Sequence, residues 1–374
     1  MRRRMTEGLA RSLLITIFLT AVPVQAQNGK SNSSSSKEGG QAAGTVIMIN
    51  QNFGFAIHGG AGTILKKNLT PETEAAYRAK LREALLAGYN ILKNDGKSLD
   101  AVEAAVRIME DSPLFNAGLG SVLTSEGTVE MDASIMDGKT LKAGAVAAVK
   151  HLKNPISVAR LVMEQSPHVL LVGEGAEAFA KGKGVEPVPN EYFRTERRQQ
   201  ELQRAKEKER KEAEERKAAA QPQKMSRALD EEYADVTKYG TVGAVALDRH
   251  GNLAAATSTG GKTNKAVGRV GDSPIIGAGT YANNLTCAVS GTGDGEYFMR
   301  ALAAYDISAM MEYQGKSLKE SAQTVIEKIG KLGGSGGLIA IDRQGNITMP
   351  FNSEGMYRAA VGADGKVLIE IYKD

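Results

Sequence analysis

Tyr239-Gly240-Thr241 is the place in this chain where residue type and order could do chemistry. A long charged stretch ends at the glycine, and an apolar strand-like run begins at the threonine. Glycine leaves the peptide carbonyl before Thr241 sterically open. If that bond breaks, Thr241 becomes a chain end carrying both a hydroxyl and a free α-amine. An amine whose reference pKa lies near ~8 can take the hydroxyl proton itself, so such a nucleophile needs no histidine. The dipeptide alone is equally a plain strand entry.

Other routes to hydrolysis are poorly supplied. The four histidines, His58, His151, His168 and His250, form no zinc-like HxxxH, and no Gly-x-Ser-x-Gly elbow occurs. All four read as structural or exposed residues. Cys287 is the single cysteine, which excludes an intramolecular disulfide, and it reads as a small buried apolar residue. Gly291-Thr292-Gly293-Asp294-Gly295 resembles a phosphate loop weakly and lacks the lysine.

The elements that must position such a nucleophile can be read from pattern. Residues 53–57 predict a strand running into a small-residue loop, His58-Gly59-Gly60-Ala61-Gly62. Thr70 as N-cap, Pro71 behind it and Glu72 and Glu74 in the first turn predict a helix, striped by Tyr77, Leu81, Leu85 and Leu92. A second helix starts at Ser98 and runs to about Met109; a third follows Asn154-Pro155. Residues 144–149 predict a buried strand. Beyond Thr241, residues 242–247 and 253–257 predict strands joined by the turn Asp248-Arg249-His250-Gly251-Asn252. Helices are expected over about 296–313 and from the capping box Ser317-Leu318-Lys319-Glu320, then strands over 338–342, 347–350, 357–361 and 367–372. Hairpins and covering helices imply an α+β fold with antiparallel sheets.

Two segments stand outside this pattern. Arg2, Arg3 and Arg4, the apolar run 13–22 and Val24-Gln25-Ala26 predict a signal peptide over residues 1–26, followed by a Ser/Gly-rich tether over 27–45. An export signal with no disulfide suits secretion to a bacterial periplasm; an uncleaved anchor is the alternative. Residues 195–238 form a charged linker. Glu207/Lys211 and Glu212/Arg216 sit at helical spacing, but no apolar stripe is visible, so the segment is expected to be a solvated helix or a disordered linker. The formal charge of +4 and the absence of tryptophan argue against a nucleic-acid-binding face.

Longer motifs carry a resemblance. Gly240-Thr241-Val242-Gly243-Ala244-Val245-Ala246-Leu247-Asp248, Thr257-Ser258-Thr259-Gly260-Gly261 and Gly268-Arg269-Val270-Gly271-Asp272-Ser273-Pro274 occur in that order. Together with His58-Gly59-Gly60-Ala61-Gly62, Phe115-Asn116-Ala117-Gly118, Gly291-Thr292-Gly293 and Gly333-Gly334-Ser335-Gly336-Gly337, they resemble the plant-type asparaginase/isoaspartyl peptidase family of N-terminal-nucleophile hydrolases. The resemblance spans about residues 53–374.

It implies a four-layer αββα sandwich made as a precursor and cut between Gly240 and Thr241. The products would be an α-subunit, 46–240, and a β-subunit, 241–374, that together form one catalytic domain. The substrates implied are L-asparagine and β-aspartyl dipeptides; a glycosylasparaginase-like amidase and a non-enzymatic secreted binding protein of the same fold are the alternatives. By position, Thr241 is the implied nucleophile and base, with Thr259 orienting it. Thr292 and Gly293 supply the oxyanion donors, and Asn116 is similar to a nearby amide that positions water or the oxyanion. Arg269 takes the substrate α-carboxylate, while Asp272, Gly293 and Gly295 take its α-ammonium. The resemblance further implies a structural sodium ion on the backbone carbonyls of Met109, Glu110, Ser112, Phe115, Ala117 and Leu119, no other cofactor, and a homodimer of αβ units free of the membrane once the signal is removed.

Overall fold

The computed structural model describes residues 44–47, 53–218 and 240–373. Two sheets dominate it. The larger has eight strands in the order β13 (Val367–Tyr372), β12 (Gly355–Gly362), β2 (Gly54–Gly62), β6 (Val242–Leu247), β7 (Leu253–Thr259), β3 (Met131–Asp137), β4 (Ala143–Val149) and β5 (Leu170–Val172). All its pairings are antiparallel except β4 with β5. The smaller has five: β1 (Gly44–Ile47), β11 (Ile347–Pro350), β10 (Gly336–Asp342), β9 (Cys287–Gly293) and β8 (Thr280–Ala282).

Strand alternation decides which face each residue serves. In β2, Phe55 and Ile57 enter the core shared with the helices, while Ala56 points to the other sheet. In β6, Val242, Ala244 and Ala246 face the helices, and Val245 and Leu247 face the sheet. The helices α1 (Pro71–Lys93), α2 (Ser98–Glu110) and α3 (Pro155–Gln165) cover the large sheet, and α4 (Gly173–Gly182) adds to them beside β4. After α5 (Glu196–Ala218) and α6 (Gly295–Ala301), α7 (Ala303–Gln314) and α8 (Leu318–Lys331) cover the small sheet. The result is the αββα sandwich of antiparallel sheets that the sequence implied. Strands from either side of Gly240 share one sheet, with His58 opposite Gly243, so the fold holds both segments together without the peptide between them.

Local signals explain several ends. The Thr70 side chain accepts the Thr73 N–H at the head of α1, and Ser317 and Glu320 close a reciprocal capping box on α8. The Asp248 carboxylate collects the N–H groups of His250 and Asn252, which fixes the β6–β7 turn.

Four expectations need correction. His58-Gly59-Gly60-Ala61-Gly62 is strand rather than loop, because it pairs along β12. The helix expected over 296–313 is broken at Leu302, which adopts φ +47 between α6 and α7. Gly44 and Thr45, assigned to the tether, lie in β1 and pair with β11. Most importantly, the charged linker is not solvated throughout. In α5, Arg198, Glu201, Leu202, Ala205 and Glu212 are buried, at spacings that form one helical face. Arg198 makes this possible by donating from Nε to Gly120 O (2.6 Å) and from Nη1 to Glu201 (2.7 Å). The face is built mainly of charge pairs, so no apolar stripe announces it. The leader (1–26), the rest of the tether and residues 219–238 of the linker lie outside the described residues.

Candidate active site

Thr241 stands at the head of β6, in the middle of the large sheet, and is buried. Its hydroxyl donates to the Thr259 hydroxyl at 3.1 Å and lies 3.4 Å from that of Ser273. Thr259, at the end of the neighbouring β7, also accepts the Gly261 N–H at 2.9 Å. That second bond holds its oxygen in place for Thr241.

Gly240 is tightly enclosed. A Cβ there would collide with the Ala61 nitrogen and the Thr292 hydroxyl oxygen, and a Cβ at Gly60 would stand 2.6 Å from the Gly240 carbonyl oxygen. The Ala61 N–H in turn donates to the Thr292 hydroxyl at 3.1 Å. The peptide before Thr241 is thereby pressed against one backbone N–H and one hydroxyl, and only glycine fits at both contact points. Gly293, next to Thr292, has φ +149, and any Cβ there would strike Ser335 O.

His58 was read as structural, and the structure places it against Thr241. It is fully buried, and its Nδ1 lies 2.9 Å from Thr241 O. A carbonyl only accepts, so Nδ1 carries the hydrogen, and Nε2 accepts from the Ser290 hydroxyl at 2.9 Å. Burial is the main cause that lowers its pKa to about 3. The ring is neutral with both nitrogens engaged, and it cannot serve as general base. Its one signal in the sequence was its place directly before the glycine stretch. Ser273 stood inside the 268–274 motif without an assigned role, and Ser290 gave no signal. The other histidines lie elsewhere, His151 against Glu177 and His250 near Asp95. Cys287 is buried, and its thiol is pushed up to about 12 by that burial, which excludes it as a nucleophile.

The charged half of the site lies where β9 passes into α6. Asp272 is buried, and one of its oxygens, Oδ2, has no hydrogen-bond partner. Burial raises its pKa to about 7, although the Arg269 charge opposes the shift. A Cβ at Gly295 would stand 2.8 Å from Asp272 Oδ1 and 3.0 Å from Arg269 Nη2, so the three expected substrate contacts are adjacent. Arg269 is engaged by Glu296, whose Oε1 accepts from Nε (3.0 Å) and Nη2 (2.9 Å). Burial works to raise the Glu296 carboxyl, but the charges of Arg269 and Lys262 outweigh it and hold it below the ordinary range. This carboxylate partner of Arg269 was not anticipated.

Asn116 packs against the loop that follows Thr259. Its amide donates to Gly261 O at 2.7 Å, and its side-chain oxygen accepts the Val122 N–H at 3.0 Å. It ties the loop after Thr259 to the loop after α2. The last turn of α2 and that second loop hold the six carbonyls expected to bind a cation. Cβ atoms at Gly118 and Gly120 would strike the Glu110 and Phe115 carbonyl oxygens, which therefore lean into space that only glycine leaves open. Neutral oxygen donors in such a cradle fit a hard cation, and no group of three His, Cys, Asp or Glu among the described residues could hold another metal. The Glu110 side chain is buried, and burial pushes its carboxyl up to about 8. It accepts from the Ser258 hydroxyl (2.6 Å) and the Ile156 N–H (3.1 Å), which connects this loop to the residue before Thr259.

A threonine heading a central strand of an αββα sandwich, with no histidine base, is the arrangement of N-terminal-nucleophile hydrolases. Comparison with known proteins agrees. The asparaginase family model matches residues 51–369. The isoaspartyl peptidase of Escherichia coli K12 is 53% identical over 321 residues, which cover 86% of this chain and 96% of that protein. The putative isoaspartyl peptidase/L-asparaginase of Dictyostelium discoideum is 50% identical over 84% of this chain and 95% of its own length. The mouse isoaspartyl peptidase/L-asparaginase is 46% identical over 86% and 93%. The chain belongs to the asparaginase family and is a hydrolase.

Proposed function

We propose that this protein cuts itself between Gly240 and Thr241 and then hydrolyses L-asparagine and β-aspartyl dipeptides, releasing L-aspartate. The observation that carries this reading is the Thr241 hydroxyl, buried and bonded to Thr259, beside a Gly240 peptide that packs on the Thr292 hydroxyl. In the precursor the Thr241 oxygen attacks the Gly240 carbonyl carbon. The C–N bond breaks, the nitrogen takes the hydroxyl proton, and an ester remains. Water opens it to leave the Gly240 carboxylate and a free Thr241 amine and hydroxyl.

In the mature enzyme the amine takes the hydroxyl proton as the oxygen attacks the substrate β-carbonyl. Thr292 and the Gly293 N–H face the developing oxyanion. The amine returns its proton to the leaving nitrogen, and water then hydrolyses the aspartyl ester. Arg269 pairs with the substrate α-carboxylate, and the unpartnered Asp272 oxygen receives the α-ammonium, with Gly293 and Gly295 beside it. His58 holds the Thr241 carbonyl, and Asn116 braces the Thr259 loop. A sodium ion on the carbonyls of Met109, Glu110, Ser112, Phe115, Ala117 and Leu119 would supply rigidity to the Asn116 loop.

Export belongs to the same proposal. The family match begins at residue 51, so the arginine-led apolar leader lies outside it. No helix among the described residues is long and apolar enough to cross a membrane. Intact leader on protein recovered from an envelope fraction would refute a cleaved signal. A homodimer of αβ units is expected, and a mass of one αβ unit by light scattering would refute it. The substrate reading is tested by assaying aspartate release from L-asparagine and from β-aspartyl dipeptides. Turnover of neither by fully cut protein would overturn it.

A further inference from the structure

The buried face of α5 does more than anchor the helix. Between α5 and the loop that follows Thr259 lies a cavity of about 310 Å³, lined by Ala205, Lys208 and Glu209 on one side and by Lys262, Arg269 and Glu296 on the other. It shares Arg269 with the substrate site, and Lys262 is three residues beyond Thr259. Glu209 accepts from the Asn264 side chain at 2.8 Å, which pins the helix across the opening.

We propose that this cavity is the subsite for the leaving amino acid of β-aspartyl dipeptides, with α5 as its outer wall and Lys208 and Lys262 as the cations for that residue's α-carboxylate. The inference rests on the substrate reading above. Size supports it: the cavity of about 310 Å³ is many times the roughly 10–15 Å³ that one water needs on the same measure, far more than the ammonia leaving asparagine requires. It lies at the lower end of the range for small-molecule pockets, roughly 300–1,000 Å³. Charge supports it too. Arg269 is assigned to the aspartyl α-carboxylate, whereas a dipeptide brings a second carboxylate that asparagine lacks. Lys262 reaches Glu296 at 3.4 Å and Asp294 at 3.5 Å with its side chain 41% exposed, so it can turn toward a ligand. Lys208 lines the same cavity on the α5 side, 3.9 Å from Glu212. The wall comes from the segment before the cut, and its Arg198 anchor is on that same side, so cleavage at Gly240 leaves it attached.

The test uses self-cleaved protein in which mass spectrometry shows the α5 fragment intact. The readout is kcat/KM for β-aspartyl-leucine relative to L-asparagine. On the wild-type chain, replacing the leucine carboxylate by its amide should lower kcat/KM about tenfold, mainly through KM. Lys208→Glu should lower the dipeptide-to-asparagine ratio about tenfold, and Lys208→Arg should restore it. Ala205→Phe, which fills the cavity without changing charge, should lower the same ratio. Equal rates on acid and amide, with ratios unmoved by all three variants while both substrates turn over, would overturn the subsite. Wild-type protein that hydrolyses neither substrate would sink the substrate reading and the subsite with it.

Discussion

Asp272 is a buried carboxyl group whose Oδ2 has no hydrogen-bond partner, which is the basis for assigning it to the substrate ammonium. Its pKa, raised by burial to about 7, gives two predictions of defined sign. The protonated form is favoured in the fold, so this group's stabilising contribution is full below its unfolded value near ~4 and is lost as pH rises through about 7. Substrate binding needs the opposite, ionised form. KM for L-asparagine should therefore rise as pH falls through about 7, and Asp272→Asn should remove that dependence from KM. A flat KM between pH 5 and 8 would show that Asp272 does not meet the ammonium. Arg269→Ala should leave self-cleavage intact and raise KM by roughly 10²-fold, the scale of a lost charge-assisted fork. Unchanged kinetics in a folded, cut variant would reduce Arg269 to a partner of Glu296. Individual site residues were legible where they sit in long motifs. The contacts of His58, Ser273 and Glu296 were not, although His58 and Ser273 stand inside such motifs, because each contact joins separate parts of the chain: 183 positions separate His58 from Thr241.

At the scale of elements, helices with apolar stripes and good caps were legible almost to the residue. Tyr77, Leu81, Leu85 and Leu92 of α1 are all buried as their spacing required. The failures have physical causes. The glycine-rich end of β2, residues 58–62, lacks the side chains that advertise a strand, yet pairing along β12 fixes it. α5 buries charges paired with one another and with backbone carbonyls, a pattern that hydrophobic periodicity cannot register. This alters what can be removed. Arg198→Ala should destabilise the fold by about 3 kcal/mol, the cost of breaking a buried pair, because Gly120 O and Glu201 both lose a donor. A melting temperature unchanged in that variant would show that α5 is dispensable. Shortening the chain within residues 219–238 should by contrast leave the melting temperature unaltered, and a marked fall would show that those residues pack.

At the scale of the molecule, the four layers explain how a chain can be cut in its centre and keep its shape. β2, from before the junction, pairs with β6, from after it, and three hydrophobic cores join helices to sheets and sheet to sheet. Antiparallel sheets with covering helices were legible from the hairpin pattern, whereas the αββα layer order and the proposed place of the cut came from the family resemblance. The docking of α5 beside the site was not legible, since it depends on which loop the linker crosses. The central claim is that Thr241 acts only after the chain is cut. In the precursor its nitrogen is tied in the amide with Gly240, so it cannot accept a proton. The most direct measurement follows, in one time course, the fraction of cut chain, the N-terminal sequence of the new fragment and aspartate release from L-asparagine or a β-aspartyl dipeptide. The account predicts that a fragment beginning Thr241-Val242-Gly243 and the activity rise together. Thr241→Ser should rise more slowly in both, since it loses the methyl that restricts its rotamer. Thr241→Ala should stay folded and uncut, with activity lower by roughly 10³-fold or more. Full activity in uncut protein, or substrate hydrolysis by Thr241→Ala, would contradict it and require another catalytic group.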